Sequence, residues 1–224
     1  MRIVMLTLVL LLLSACGARA DGPHGLYLMT RFSVGTLTLE AYRFADGTVV
    51  RNPTAGTDEI ERERKQRPHD VGSYRLDGGN LVMSFDGKPV SSTYERGDGG
   101  CFGWDAGSFC PVETFASNTR IDGVYAGGAS VGGGAVMSAS TLTLRGDGSY
   151  SLSTIGSVAT GTEAGRVGSS GEQQGRYRFD DNALILTTAA GAEQRYSSFP
   201  YDDGSAGPAP RRIYFGGGML KRQN

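Results

Sequence analysis

Histidine, tryptophan and cysteine are all scarce, at two, one and three residues in a chain of 224. Two histidines are too few for a multi-imidazole metal centre, and they narrow the choice of general bases. The charge is balanced, with 22 Lys and Arg against 23 Asp and Glu, so the basic footprint of a general nucleic-acid binder is missing. No segment beyond the N-terminus offers the 18 or more consecutive apolar residues that span a bilayer. Glycine has no three-residue period, which excludes a collagen helix. What is abundant is glycine itself, at 35 residues, within an otherwise ordinary globular composition of 39% hydrophobic and 20% charged residues.

The N-terminus reads as an address. Met1-Arg2 gives a positive start, and Ile3 to Leu13 is apolar except for Thr7, the length of a signal-peptide core. Leu13-Ser14-Ala15-Cys16 follows. This resembles the lipobox of bacterial lipoprotein precursors, in which a branched apolar residue and two small residues precede a cysteine. The resemblance implies cleavage before Cys16, acylation of its thiol and amine, and firm anchoring by several acyl chains. Gly17, where an aspartate would favour the inner membrane, implies an outer-membrane anchor with the chain facing the periplasm. Ala18-Arg19-Ala20 also fits a small-x-small cleavage signal, so a soluble periplasmic or secreted chain is the alternative. The expected organisation is a signal peptide over 1–15, a lipidated tether over 16–24, and two β repeats over 25–116 and 117–224.

With Cys16 assigned to lipid, Cys101 and Cys110 remain as an even pair in an exported chain, and they are expected to form a disulfide. Phe102, Trp104 and Phe109 lie between them. A constrained loop carrying three large rings is a candidate recognition tip; the alternative is that the rings fill the core.

The body repeats itself at an offset of about one hundred residues. Gly25-Leu-Tyr27 matches Gly123-Val-Tyr125, and Gly72-Ser-Tyr74-Arg75-Leu-Asp77 matches Gly175-Arg-Tyr177-Arg178-Phe-Asp180. Leu81-Val-Met83 and Leu184-Ile-Leu186 continue the second match without a gap. Within each copy apolar residues alternate, as in Val34, Leu37, Leu39, Tyr42 and Phe44, or Leu142, Leu144, Tyr150 and Leu152. Asp-Gly steps at Asp21, Asp46, Asp77, Asp86, Asp98, Asp122, Asp147 and Asp203 supply the positive φ of tight hairpins. The pattern predicts an all-β antiparallel meander of six or seven strands per copy. Two small barrels or sandwiches and one larger closed barrel are both compatible with it. With its opening Gly-x-aromatic, the meander resembles lipocalin-like (calycin) barrels, Tyr27 and Tyr125 standing where those proteins have tryptophan.

One helix is expected, over Thr57 to Arg67, with acid-before-base pairs four apart and Pro68 as its stop. Ile60 is its only apolar residue, so it reads as a surface excursion without a buried stripe. The matching segment of copy two, Ser157 to Gln174, is rich in Gly and Ser and reads as a flexible loop.

Catalytic patterns mostly fail. Gly128-Ala-Ser130-Val-Gly132 fits a G-x-S-x-G elbow, but His24 and His69 both precede it and no helix pattern follows. The Asp180-Asp181 and Asp202-Asp203 pairs lack the spacing of a calcium loop and read as turns. No catalytic residue, metal site or cofactor is expected. The reading is a membrane-anchored envelope lipoprotein with a non-catalytic binding or interaction role. It contacts the membrane through its N-terminal lipid and takes a protein partner or a small apolar ligand, but no nucleic acid. The alternatives are a periplasmic immunity or inhibitor protein, and an enzyme.

The anchor carries a direct expectation. Cys16→Ser moves the chain from the membrane fraction to the soluble fraction, and membrane attachment that survives the change contradicts the lipobox reading.

Overall fold

The computed structural model describes residues 22–56, 59–131, 136–160, 165–201 and 210–224. Residues 1–15, expected to be a signal peptide, Cys16, and the Asp202-Asp203 pair lie outside the described residues.

Two tandem antiparallel units account for nearly all of the chain. The first comprises β1 (Gly25–Ser33), β2 (Thr36–Ala45), β3 (Thr48–Arg51), β4 (Val71–Asp77), β5 (Asn80–Phe85), β6 (Lys88–Thr93), β7 (Glu95–Arg96), β8 (Phe102–Trp104) and β9 (Gly107–Pro111). They form one nine-stranded sheet in the order β6-β5-β4-β3-β2-β1-β9-β8-β7. It curls until its ends nearly meet: the Trp104 indole N–H donates to Leu81 O at 2.7 Å, and Asp105 N donates to Ser92 Oγ at 3.2 Å. The second unit comprises β10 (Gly123–Val131), β11 (Val136–Leu144), β12 (Ser149–Thr160), β13 (Gly165–Asp180), β14 (Ala183–Thr188), β15 (Glu193–Pro200), β16 (Arg212–Phe215) and β17 (Gly218–Arg222). These eight strands close on themselves, each pairing with its neighbour in sequence and β17 with β10 through Tyr125↔Arg222 and Ala126↔Lys221.

The all-β class and the two-unit plan match the sequence pattern, and the single larger barrel does not occur. Strand numbers are higher than expected, at nine and eight. The additional strands are short pieces such as β7 and β8, too brief to show alternation. The described residues of the Gly/Ser-rich segment, 157–160 and 165–174, are not a free loop. They lie on the β12–β13 hairpin, paired from Ser149↔Arg176 to Thr160↔Gly165. Backbone pairing holds them in strands where side-chain patterning offered no cue.

The repeat is physical as well as textual. The Tyr74 hydroxyl donates to Pro23 O at 2.9 Å, and the matching Tyr177 hydroxyl donates to Ile121 O at 2.8 Å. Tyr74 N bonds Gly47 O and Tyr177 N bonds Gly148 O, both at 2.8 Å. Each unit is thus tied at its closed end by one tyrosine that reaches the chain just ahead of the unit's first strand. The glycine two residues earlier is required in both copies. A Cβ would lie 2.4 Å from Ser84 O at Gly72 and 2.0 Å from Thr187 O at Gly175.

The expected helix is α1 (Ile60–Gln66). It ends at Arg67, whose φ of −140° and ψ of 58° leave the helical region ahead of Pro68. Its buried residue is not Ile60 but Glu63, 2% exposed. The Glu63 carboxylate accepts from the backbone N–H of Thr54 and, at 3.0 Å, from its hydroxyl, while Arg67 lies 3.4 Å away. The excursion is therefore pinned to the first unit by a buried, satisfied carboxylate.

The two units dock through strands buried on both faces. On β1, Tyr27 and Met29 enter the first core while Leu26 and Leu28 pack outward with Ala41 against Phe199 and Tyr214 of the second unit. A polar latch borders this cluster. Arg43, buried on β2, donates to Asp181 Oδ2 at 2.6 Å and to the Asn182 side chain, whose amide donates to Pro53 O. Tyr214 donates to Asn52 Oδ1 at 2.6 Å, and that oxygen also accepts from Ala41 N at 2.9 Å. The Asp181 turn is thus a docking element as well as a turn.

Two outcomes follow from the latch. Asn182→Ala removes one acceptor from the buried Arg43 guanidinium and leaves Pro53 O without the Asn182 donor, and lowers unfolding free energy by about 1–3 kcal/mol in urea titrations. Burial holds the Tyr214 phenol well above its ordinary range, and burial together with the Glu40 carboxylate does the same for Tyr42. The folded chain therefore keeps protons that the unfolded chain releases above about pH 10, so stability falls as pH rises beyond that point. Tyr214→Phe flattens this alkaline dependence, read as urea midpoints from pH 9 to 12.

Candidate functional site

The two units differ in how their interiors are filled. The first is solid with rings. Tyr27, Tyr42, Phe44, Phe102, Trp104 and Phe109 form one buried cluster, in which Phe102 and Phe109 stack at 4.7 Å and Phe44 meets Tyr74 edge-on at 5.1 Å. This corrects the recognition-loop expectation: Phe102, Trp104 and Phe109 are 2%, 8% and 0% exposed and present no tip. Their strands β8 and β9 alternate, so the three rings share the inner face. Cys101 and Cys110 are joined at the base of this hairpin, with Cα atoms 4.1 Å apart.

The second unit is solid only at its closed end, where Tyr125, Leu144, Tyr150, Tyr177, Phe179, Leu184 and Ile213 are buried together. Towards the other end the side chains on the inner face shrink. Tyr125 gives way to Gly127 on β10, Leu142 to Ser140 and Ser138 on β11, and Leu152 to Thr154 on β12. These residues, with Tyr196, Phe215 and Leu220, line an open chamber of about 240 Å³ in the barrel mouth. The rim is uneven. β16 and β17 turn back through Gly216 and Gly217 after only four and five residues, while β12 and β13 run for 12 and 16.

Outside that low rim lies a second space of about 630 Å³, where β15 faces the α1 excursion of the first unit. Its walls include Asn52, Thr54, Arg62, Gln66, Arg67, Glu193 and Arg195, and it shares Tyr196 and Gly216 with the barrel mouth. Three guanidinium groups and one carboxylate line it, and the arginines are paired with carboxylates set behind the lining. Arg62 is held by Glu59 at 2.8 Å and Arg67 by Asp70 at 2.6 Å. Arg195 lies 3.6 Å from Glu59 and 3.7 Å from Asp180, too far for hydrogen bonds, and its buried Nη1 has no hydrogen-bond acceptor. Tyr196 forms the wall between the spaces. Its ring packs on Phe215 at 4.5 Å, its hydroxyl donates to Gln194 Oε1 at 2.7 Å, and burial raises its phenol. The arrangement is an apolar cup opening over a glycine lip into an arginine-lined cleft, which suits a molecule with an apolar end and a polar, hydrogen-bond-accepting end.

The other sequence candidates fall elsewhere. Ser130 sits mid-strand on β10, paired with Met137, not on a strand-to-helix elbow. His69 is exposed and 2.7 Å from Asp86. Among the described residues no three His, Cys, Asp or Glu side chains group as metal ligands, and no helix is long and apolar enough to cross a membrane. Gly127, Ser140, Thr154, Arg195 and Tyr196 did not stand out in the sequence. A usable signal was present: continuing the Gly25/Gly123 match places Met29, buried in the first core, opposite Gly127.

No known protein family, no curated protein and no solved structure matches this chain.

Proposed function

We propose that this is a lipid-anchored envelope protein that binds a small amphiphile in the mouth of its second barrel, holding the anionic end in the inter-unit cleft. The reading is carried by one observation: the chamber and the arginine-lined cleft meet at Tyr196 and Gly216. The apolar end packs on Leu152, Phe215 and Leu220. The anionic end lies against Arg62, Arg67 and Arg195, where the Nη1 of Arg195, which has no hydrogen-bond acceptor of its own, supplies a charge-assisted hydrogen bond. The lipobox-like Leu13-Ser14-Ala15-Cys16 supports the lipid anchor, and Gly17 after it supports an outer-membrane position facing the periplasm. The binding is non-catalytic: the site holds a ligand by shape and charge.

The dye 1-anilinonaphthalene-8-sulfonate, apolar with one sulfonate, tests this on the folded protein. Saturable one-to-one binding is expected. Ser140→Phe fills the mouth and abolishes binding at little cost in stability, because the added ring enters open space and not a packed core. Arg195→Gln weakens binding about tenfold, through loss of one charge-assisted hydrogen bond. Dye binding that both variants leave unchanged contradicts the assignment.

A further inference from the structure

The tip of the β1–β2 hairpin breaks two local rules at once. Its register is Phe32↔Leu37 and Ser33↔Thr36, leaving Val34-Gly35 as a two-residue turn with φ of 46° and 77°. The same left-handed pair recurs at Asp46-Gly47, Gly78-Gly79, Asp86-Gly87 and Asp105-Ala106. Those turns begin with Asp or Gly, which enter this region readily, whereas a β-branched residue there is an outlier costing about 1–2 kcal/mol. Val34 is also fully exposed, at 101%, and its neighbours Phe32 and Leu37 are 73% and 56% exposed. Among the described residues nothing offsets the strain, and Phe32, Val34 and Leu37 stay exposed. Violations of this kind, uncompensated by internal packing, are expected where a surface serves a partner.

The patch continues an interface already present. Phe32 and Leu37 lie on the same face of β1 and β2 as Leu28 and Ala41, which the second unit covers. The apolar stripe therefore emerges from under the second unit and runs out to the hairpin end. From Phe32 to Leu39 it carries no charge, and Arg31 beside it is paired with Asp105 at 3.1 Å.

We propose that the Phe32–Val34–Leu37 tip inserts into a lipid surface. The tip is convex, uncharged and narrow, and a bilayer accepts such a wedge without the matching pocket a protein would need. Chain length allows it. The Tyr74 hydroxyl holds Pro23 beside the start of β1, and six peptide steps link Cys16 to Gly22, an extended reach of about 20 Å. That reach lets an acylated Cys16 enter the membrane while β1 lies along its surface and brings the tip to it. The proposal thus rests on the lipid-anchor reading, and it fixes how the anchored protein lies on its membrane.

The test uses the full chain as the cell processes it, in vesicles of phosphatidylethanolamine and phosphatidylglycerol brominated in mid-chain. Phe32→Trp places an indole at the tip, while Trp104 is buried in the first core and serves as the internal reference. The tip indole is expected to shift to the blue and to be quenched about twofold by brominated lipid, as for groups sitting at the acyl boundary. Adding Val34→Asp, which restores the Asp-Gly turn used elsewhere, is expected to abolish that quenching. An indole that brominated lipid leaves unquenched, or that becomes buried only when a partner protein is added, overturns the proposal. The mass of the mature N-terminus reports acylation separately, so a failed anchor and a failed tip are told apart.

Discussion

Two asparagines, Asn52 and the buried Asn182, carry the contact between the halves of this molecule. Asn52 Oδ1 accepts from Ala41 N and from the Tyr214 hydroxyl, and Asn182 ties Arg43 to Pro53 O. Each side chain bridges one unit to the other. Polar networks of this kind cost a great deal when half satisfied and fix a unique geometry when complete. The apolar cluster of Leu26, Leu28, Phe199 and Tyr214 supplies the area, and the asparagines set the register. The arginine-lined cleft is a consequence, because its walls come from both units and have no meaning unless these are held at one distance.

Duplication explains why the halves resemble each other where they do. The Tyr74 and Tyr177 ties, the Gly72 and Gly175 close approaches and the Asp-Gly turns all belong to the closed end and the ladder of each barrel, where geometry tolerates little change. The mouths are free to diverge. In the first, Met29 and the rings of β8 and β9 fill the interior. In the second, Gly127, Ser140 and Thr154 leave it open. One copy supplies a rigid support and the α1 wall, and the other supplies the chamber.

Much of this was legible in the residues. Alternation and the eight Asp-Gly steps gave strands and turns, self-matching gave two units, and cysteine parity gave the Cys101–Cys110 pair. The docking surface was legible too, but in a different code. Leu26 to Met29 and Ile213 to Phe215 are unbroken apolar runs, the signature of strands covered on both faces, and an eye set for alternation passes over them. The three aromatics of the disulfide loop misled because a short loop suggests a tip, while β-pairing puts all three on one inner face. The site itself was hardest to see. It consists of small residues where the other copy has large ones, together with arginines contributed by α1, its C-terminal cap and β15, far apart in sequence. The glycine-rich Ser157–Gln174 stretch shows the limit from the other side: register, not side-chain pattern, makes it a hairpin.

The central claim is that the second barrel, and not the first, holds a ligand at its mouth. Its most direct test is a methyl NMR titration of the folded protein with a medium-chain alkyl sulfonate. The account predicts that the methyl signals of Leu152, Met219 and Leu220 move together and saturate, while those of Leu81 and Met83 in the first core stay fixed. Shifts centred on the first core, or none in the second barrel at millimolar ligand, would contradict it.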